Sequence, residues 1–379
     1  MACILRAPSA NSSGVLVITT PERDLQIKKS GELRSKLESI KNTWLIGLHH
    51  NWHDHQFKMD PIFDFSMAGE GDLREVNGSH FHLLPMDACN FVPQAFQPSH
   101  GEKFWDILYV ARAVYFKRIP EFFDCIRRLY DQGHRYRVLF ICPIPPYDPN
   151  DEKTVFYKIR ETYDSLFTED EKNLFTLLTI DYRYPFPFDL ESLAFFYRSS
   201  KIFIHTADDE RRCRVAAYAW ASGLPVVGME CVSGLLSSEN RRKPYFYEVR
   251  KYADFPSKIK AALNDFSSMN WDQTEMDKHF NEIQSINHLD QLISSIAKTK
   301  NMPYLSGGLA GKNLSIRLGR HHNGNHGPNS LKTSLSDLIQ QISLQPIDCQ
   351  IINSADPEIE LQLIKNKFSI KSFIKEKFS

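Results

Sequence analysis

The segment from residue 201 to 229 constrains the fold more than any other part of the chain. An apolar run rich in β-branched and aromatic side chains leads through an acidic turn ending at Glu210 into an alanine-rich stretch, then Gly223 and a second apolar run. This order predicts a strand, a turn, a helix with a left-handed end at the glycine, and another strand. Because such a turn directs backbone N–H groups at bound anions, Glu210 marks a candidate ligand site. A structural turn with solvated acids is the alternative.

Strand and helix signals alternate regularly through the middle of the chain. The predicted strands are residues 106–111, 137–142, 175–181, 201–206, 224–229 and 245–249, and the predicted helices are residues 119–132, 152–166, 190–199, 211–222, 255–266 and 276–298. Apolar strands between helices of about 10–15 residues imply right-handed crossovers and a parallel sheet covered on both faces. We therefore expect a Rossmann-like domain over residues 96–300.

The parts on either side of this region give weaker signals. Residues 1–95 predict a short α/β domain, with strands at 14–19, 44–48 and 81–84 and a helix at 25–40. Residues 301–330 are rich in Gly, Asn, His and Ser, which predicts a flexible linker. Residues 331–379 predict a mainly helical tail.

Composition excludes few classes of function. Lys+Arg and Asp+Glu both number 46, so no net charge favours a nucleic-acid partner. The 7 cysteines show no C-x-x-C pair, which indicates reduced thiols rather than a disulfide framework. No apolar run approaches the roughly 20 residues of a membrane span, and no signal-peptide pattern opens the chain. We expect a cytoplasmic protein.

The end of the chain has a basic amphipathic pattern over residues 358–378. Apolar side chains such as Ile364 and Phe368 alternate with lysines such as Lys365 and Lys371. Such a helix is compatible with peripheral contact with an anionic membrane. Packing of its apolar face on the protein or on a partner is the alternative.

Two basic residues, Arg112 and Lys117, follow the predicted strand 106–111, and Glu210 precedes the segment 218–227 with its string Ala-Ser-Gly-Leu-Pro-Val-Val. Together these features resemble the donor-binding domain of family-4 retaining glycosyltransferases of the GT-B fold. The first pair is similar to the family's strand-Gly-Arg…Lys signature. The second is similar to its Glu-x7-Glu-Ala-x-Ala-x-Gly-x-Pro-Val-Val block. The resemblance covers residues 90–300, about half of the chain.

The resemblance implies a GT-B-like α/β protein with two Rossmann-like domains built on parallel sheets, the N-terminal one short. It implies a retaining glycosyltransferase that moves a sugar from a nucleotide diphosphate-sugar donor to a saccharide or lipid-linked saccharide acceptor, as in polysaccharide biosynthesis. By position, Glu210 would contact the transferred sugar. Arg112 and Lys117, expected at the exposed sheet edge, would bind the diphosphate and stabilise the charge that develops there without a metal or other cofactor. Without the family context, the two cations would be an ordinary solvated pair.

Two departures from the family pattern favour a different class of function. Tyr218 stands at the position of the second glutamate and would face the nucleoside, but it cannot accept the two hydrogen bonds of a carboxylate. Arg211 and Arg212, expected beside the donor, stand where the family has small residues. The alternative is a catalytically inactive GT-B-like subunit that binds a sugar nucleotide or a glycan within an assembly.

A histidine cluster follows the predicted strand 44–48. His49, His50 and His53 lie where an α/β domain places ligands, so they are candidates for the acceptor side. Their spacing also allows a metal site, and an ordinary surface loop is the third interpretation. No metal site is predicted.

Overall fold

In the computed structural model, the chain divides into two compact units. Unit 1 comprises Met1–Phe91 and Glu282–Ser379, and unit 2 comprises Val92–Asn281. The structure describes residues 2–50, 60–68, 82–99, 101–144, 152–181, 190–210, 212–310, 314, 318 and 335–344.

Strands and helices alternate along the described chain. The strands are β1 (Cys3–Arg6), β2 (Gly14–Thr19), β3 (Trp44–His49), β4 (Phe65–Met67), β5 (His82–Leu84), β6 (Trp105–Val110), β7 (Val138–Ile144), β8 (Phe175–Asp181), β9 (Ser200–His205), β10 (Val226–Met229) and β11 (Phe246–Val249). The helices are α1 (Thr20–Leu25), α2 (Gly31–Ile40), α3 (Ile119–Asp131), α4 (Glu152–Leu166), α5 (Glu169–Lys172), α6 (Leu190–Arg198), α7 (Arg214–Ala221), α8 (Phe255–Asp265), α9 (Gln273–Phe280), α10 (Glu282–Thr299) and α11 (Leu335–Leu344). Among the described residues, no helix is long and apolar enough to cross a bilayer.

Unit 1 is built on a five-stranded sheet in the order β1-β2-β3-β4-β5. Strands β2 to β5 are parallel, and β1 is an antiparallel edge strand that was not predicted. Successive residues of β2 serve opposite faces: Val15 and Val17 belong to one apolar cluster, and Leu16 and Ile18 to another. Helix α10 packs on the first cluster, and α2 and α11 pack on the second. Both faces of the sheet are therefore covered, as parallel strands require.

Unit 2 is built on a six-stranded sheet in the order β11-β10-β9-β6-β7-β8, parallel throughout. Helices α3, α4, α6 and α8 form within one residue of their predicted bounds. Helix α3 has Pro120 in its first turn and ends before Gly133, whose φ of 84° is left-handed. Gly223, with φ of 76°, ends α7 in the same way. The α/β class and the parallel sheets predicted from the sequence are confirmed.

Helix α10 belongs to unit 1, although its residues were predicted within the domain 96–300. Its sequence predicts an amphipathic helix but not the sheet that the helix covers. In the structure, Leu289, Ile293 and Ile296 pack with the apolar residues of β2 and β4. Where the sequence predicts one helix over residues 276–298, the structure has two, α9 and α10. The segment 358–378 lies outside the described residues.

We expect Gly47→Ala to destabilise unit 1. A Cβ at Gly47 would lie 2.3 Å from two ring atoms of the buried Phe65. The overpacking should lower the free energy of unfolding by about 1–3 kcal/mol, measured by urea denaturation. Gly31→Ala is the matched control, because a Cβ there meets nothing within 4 Å. Equal stabilities of the two variants would contradict the close packing of β3 and β4.

Candidate functional site

The order in which strands are added to the unit 2 sheet reverses at its centre. From β6 the chain proceeds to β7 and β8 on one side, and then returns to β9 on the other side of β6. The loops after β6 and β9 therefore begin side by side at the carboxyl edge of the sheet. Open α/β sheets bind ligands at such switch points.

Buried hydroxyl groups join these two loops. The hydroxyls of Tyr109, in β6, and Thr206, after β9, lie 2.7 and 2.8 Å from the carbonyl oxygen of Lys117. The two hydroxyl oxygens lie 3.0 Å apart. Tyr109 is fully buried, and burial raises the pKa of its phenol well above the ordinary value. Both strands thus fix the backbone of Lys117.

The side chain of Lys117 completes a buried cluster with two residues of the second loop. Its Nζ forms an ion pair with Oε2 of Glu210, a residue 93 positions away in sequence. Nε2 of His205, the last residue of β9, lies 2.5 Å from the same oxygen and 3.2 Å from Nζ of Lys117. His205 is 0% exposed, Lys117 is 7% exposed, and the side chain of Glu210 is 14% exposed. The structure thus brings together Lys117 and Glu210, two of the residues that the sequence proposes for one site.

The cluster fixes the charge of each partner. Burial alone would raise the pKa of Glu210, but Lys117 and His205 outweigh it and hold this pKa far below the ordinary value. Burial, with the charge of Lys117, lowers the pKa of His205 in spite of the opposing effect of Glu210. Glu210 is therefore a carboxylate and His205 a neutral imidazole near neutral pH.

The cations predicted at the sheet edge differ in exposure. Arg112 is exposed, directly after the buried end of β6, as expected. Lys117 is buried, because the carboxylate of Glu210 draws its ammonium inward. Arg212 is buried as well, and Arg211 lies outside the described residues.

The helix after Glu210 begins later than predicted. Residue 211 was the expected start, but α7 begins at Arg214 with Cys213 at the cap position. Glu210 occupies the preceding turn, where its side chain can reach Lys117. The expectation that a helix N-terminus lies at residues 210–212 is therefore wrong.

Tyr218 lies in the interior of unit 2. It is 4% exposed and its ring stacks on Phe96, with ring centroids 4.1 Å apart. Tyr197 packs edge-on against it at 6.1 Å. Tyr218 thus contributes to the packing of α7.

His205 was not singled out from the sequence. Its one signal is its position at the end of a buried strand, next to the block that contains Glu210.

In unit 1, His49 and His50 are both buried at the end of β3, and Nε2 of His49 accepts a hydrogen bond of 3.3 Å from the backbone N–H of Ala88. His53 lies outside the described residues. The acceptor-side role of these three histidines stays a prediction.

The cluster has ligand atoms that could approach a metal. A ring nitrogen of His205, a carboxylate oxygen of Glu210 and Sγ of Cys213 lie within 4.8 Å of one another, and these residue types bind zinc. Two features oppose a metal here. Burial raises the pKa of the Cys213 thiol well above its ordinary value, and Lys117 already pairs with Glu210.

Comparison with known proteins identifies the architecture. Neither a protein-family model nor a curated protein matches the sequence. Among solved structures, a UDP-forming α,α-trehalose-phosphate synthase from Burkholderia xenovorans aligns with a TM-score of 0.52 at 12% identity, over 76% of this chain and 74% of that one. The chain has the GT-B glycosyltransferase fold.

Two further solved structures have the same GT-B fold. Sucrose-phosphate synthase from Thermosynechococcus elongatus aligns with a TM-score of 0.50 at 14% identity, over 74% of each chain. A chain of the GtfA/B complex aligns with a TM-score of 0.50 at 13% identity, over 71% of this chain. This protein spans 56% of the length of that GtfA/B chain. At these identities the comparisons show the fold alone.

We expect Lys117→Ala to destabilise unit 2 strongly, because it leaves the carboxylate of Glu210 buried without a cation. The free energy of unfolding should fall by about 3–5 kcal/mol, measured by urea denaturation. The double variant Lys117→Ala/Glu210→Gln should recover much of this loss. Lys258→Ala, at an exposed position of α8, is the control and should change stability by about 0.5 kcal/mol or less. A small effect of Lys117→Ala would show that the ion pair does not hold the loops.

The depressed pKa of Glu210 should also give stability a pH dependence. The unfolded carboxyl titrates near its ordinary value of 4.5 and the folded one far lower. The stabilisation is therefore fully present above about pH 5 and is lost progressively as the pH falls. Glu210→Gln should have a flatter stability curve in acid than the native protein. Parallel curves from urea denaturation would contradict this assignment.

Proposed function

We propose that this protein is a retaining glycosyltransferase that uses a nucleotide diphosphate-sugar as donor and needs no metal. The observation that carries the proposal is the Lys117–Glu210 pair at the β6/β9 switch point of unit 2. It joins a fixed cation and an ionised carboxylate at the sheet edge where α/β domains bind nucleotides. The proposed acceptor is a saccharide or a lipid-linked saccharide.

The charges at this edge suit the chemistry of the donor. When the bond between sugar and diphosphate breaks, negative charge develops on the phosphate oxygens. A cation already held in place stabilises that charge without reorganisation. Lys117 supplies a buried point charge, and Arg112, on the exposed part of the same loop, supplies a planar guanidinium that can bind phosphate in a bidentate manner.

Glu210 suits a role next to the sugar. An ionised carboxylate only accepts hydrogen bonds, and the hydroxyls of a sugar ring donate them. Its side chain is the most exposed of the buried cluster, at 14%. The retaining outcome rests on the resemblance of this block to family-4 enzymes.

The independence from metal also finds support at this pair. The ammonium of Lys117 already contacts a carboxylate oxygen of Glu210. A buried lysine therefore supplies the positive charge that a metal supplies in other phosphoryl sites. UDP is the first nucleotide to test, because the trehalose-phosphate synthase with the same fold is UDP-forming.

The second candidate function is a binding subunit without turnover. The observation that favours it is the burial of Tyr218 against Phe96, which leaves the position of the family's second glutamate occupied by a core residue. A donor would then lack the carboxylate that holds its ribose. Such a subunit would bind the sugar nucleotide or a glycan.

We expect Arg112→Ala to weaken nucleoside diphosphate binding more than tenfold, since one charge-assisted contact contributes roughly 1.5–3 kcal/mol. Titration calorimetry with UDP-, GDP-, ADP- and dTDP-sugars measures it. Arg135→Ala is the matched control, because Arg135 is an exposed arginine just before β7, at the opposite edge of the sheet. Equal affinities of the two variants would place the diphosphate elsewhere.

The same donors separate the two candidate functions. Slow release of free sugar by the native protein, unchanged in EDTA, supports a metal-independent transferase. Donor binding with neither hydrolysis nor transfer supports the binding subunit. Loss of turnover in EDTA, restored by Mg²⁺ or Mn²⁺, contradicts the metal-independent mechanism.

A further inference from the structure

The two oxygens of the Glu210 carboxylate are in different environments. Lys117 and His205 both contact Oε2. Among the described residues, Oε1 has no hydrogen-bond donor within reach. Because Lys117 and His205 are buried and the Glu210 side chain is 14% exposed, the accessible part of the cluster is the carboxylate rather than the two donors.

The contact between His205 and Glu210 fixes the position of one proton. Nε2 and Oε2 lie 2.5 Å apart, and two lone pairs cannot approach so closely, so a proton lies between them. Glu210 is a carboxylate, as its depressed pKa indicates. The proton therefore belongs to Nε2 of His205, which donates to the carboxylate.

The other ring nitrogen supports the same tautomer. Nδ1 of His205 is buried, and within the described parts of the chain it has no hydrogen-bond partner. The ring of Phe203 lies nearly parallel to the imidazole at 6.0 Å, and Tyr109 lies edge-on at 5.6 Å. An N–H in these apolar surroundings would be an orphaned donor, which proteins avoid more strictly than an orphaned acceptor. Nδ1 therefore carries no proton.

This tautomer decides what Lys117 does. Its Nζ lies 3.2 Å from Nε2 of His205, but a protonated Nε2 cannot accept a hydrogen bond. The ammonium therefore donates to Glu210, and two donors converge on Oε2. The neutral imidazole orients the carboxylate without a second positive charge, so the cluster has one cation and one anion.

We propose that His205 is a positioning residue: its Nε2–H holds Oε2 of Glu210 and thereby presents Oε1 to a hydroxyl group of the donor's sugar ring. The inference rests on the proposed function. His205 is fully buried and does not touch the ligand, so it acts through Glu210. Lys117 alone would hold Oε2 from one direction, whereas Lys117 and His205 together hold it from two.

A matched pair of variants tests the proposal. The side-chain nitrogen of glutamine in His205→Gln can take the place of Nε2, whereas that of asparagine in His205→Asn takes the place of Nδ1, on the apolar side. We expect His205→Gln to keep kcat/KM for donor hydrolysis or transfer within about threefold of native, and His205→Asn to lose about tenfold or more. The affinity for UDP should stay within about twofold in both, because neither change removes a phosphate contact.

The tautomer itself can be observed without any ligand. In protein labelled with ¹⁵N-histidine, NMR should show His205 protonated at Nε2 and unprotonated at Nδ1, with His205→Gln identifying the signal. This reading also stands if His205→Asn fails to fold. A protonated Nδ1 would overturn the proposal. Equal kcat/KM in the two variants, with native UDP affinity, would overturn the positioning role of His205 and leave the proposed function standing. A native protein that binds no donor would overturn both the positioning role and the proposed function.

Discussion

A carboxylate cannot be taken out of water without a partner, and Glu210 pairs with the ammonium of Lys117. The ion pair forces the loop after β9 to meet the loop after β6. The hydroxyls of Tyr109 and Thr206 both donate to the carbonyl oxygen of Lys117. At an exposed position of the same two loops, Nε of Arg118 lies 2.5 Å from Oδ2 of Asp208. The geometry of the whole site depends on this one pair, because the apolar core of unit 2 fixes the sheet but not the loops.

Unit 1 uses a buried carboxylate for a different purpose. Asp64 is 2% exposed, its Oδ1 lies 2.9 Å from Nζ of Lys300, and its Oδ2 accepts a 2.8 Å hydrogen bond from the backbone N–H of Ile46. This contact ties the end of α10 to β3. A buried ion pair is therefore not in itself a sign of function. What distinguishes Lys117 and Glu210 is their position at the switch point, together with the accessible oxygen of the carboxylate.

The sequence predicts the elements of this fold better than their assembly. Apolar periodicity locates helix α4 and strand β8 at their observed bounds, and α4 buries Val155, Ile159 and Tyr163 on one face. It cannot locate the start of α7, since the residues before Arg214 form the turn that takes Glu210 to Lys117. Periodicity describes the apolar face of α10 but not the sheet that receives it. The short edge strand β1 has too few residues for a pattern.

The sequence likewise predicts some residues of the candidate site and misses others. The resemblance to the family motifs proposes Lys117 and Glu210 for one site, and the structure brings their side chains into contact. The family motifs do not reveal His205, which functions through a contact with a residue five positions away and not through a motif. The position of Tyr218 in the family block predicts a contact with the nucleoside, whereas in the structure its ring stacks on that of Phe96. Which side chains turn inward depends on packing partners distant in sequence.

The divided course of unit 1 has a consequence for the order of folding during synthesis. Unit 2 is one continuous segment, Val92–Asn281, whereas unit 1 needs both Met1–Phe91 and the chain beyond residue 281. During synthesis, the strands of unit 1 emerge before α10 and α11, the helices whose side chains pack on the two faces of their sheet. The usual order, in which the N-terminal domain folds first, is therefore reversed. Unit 1 is completed after unit 2, and during that interval its uncovered strands are accessible to chaperones and to other nascent chains.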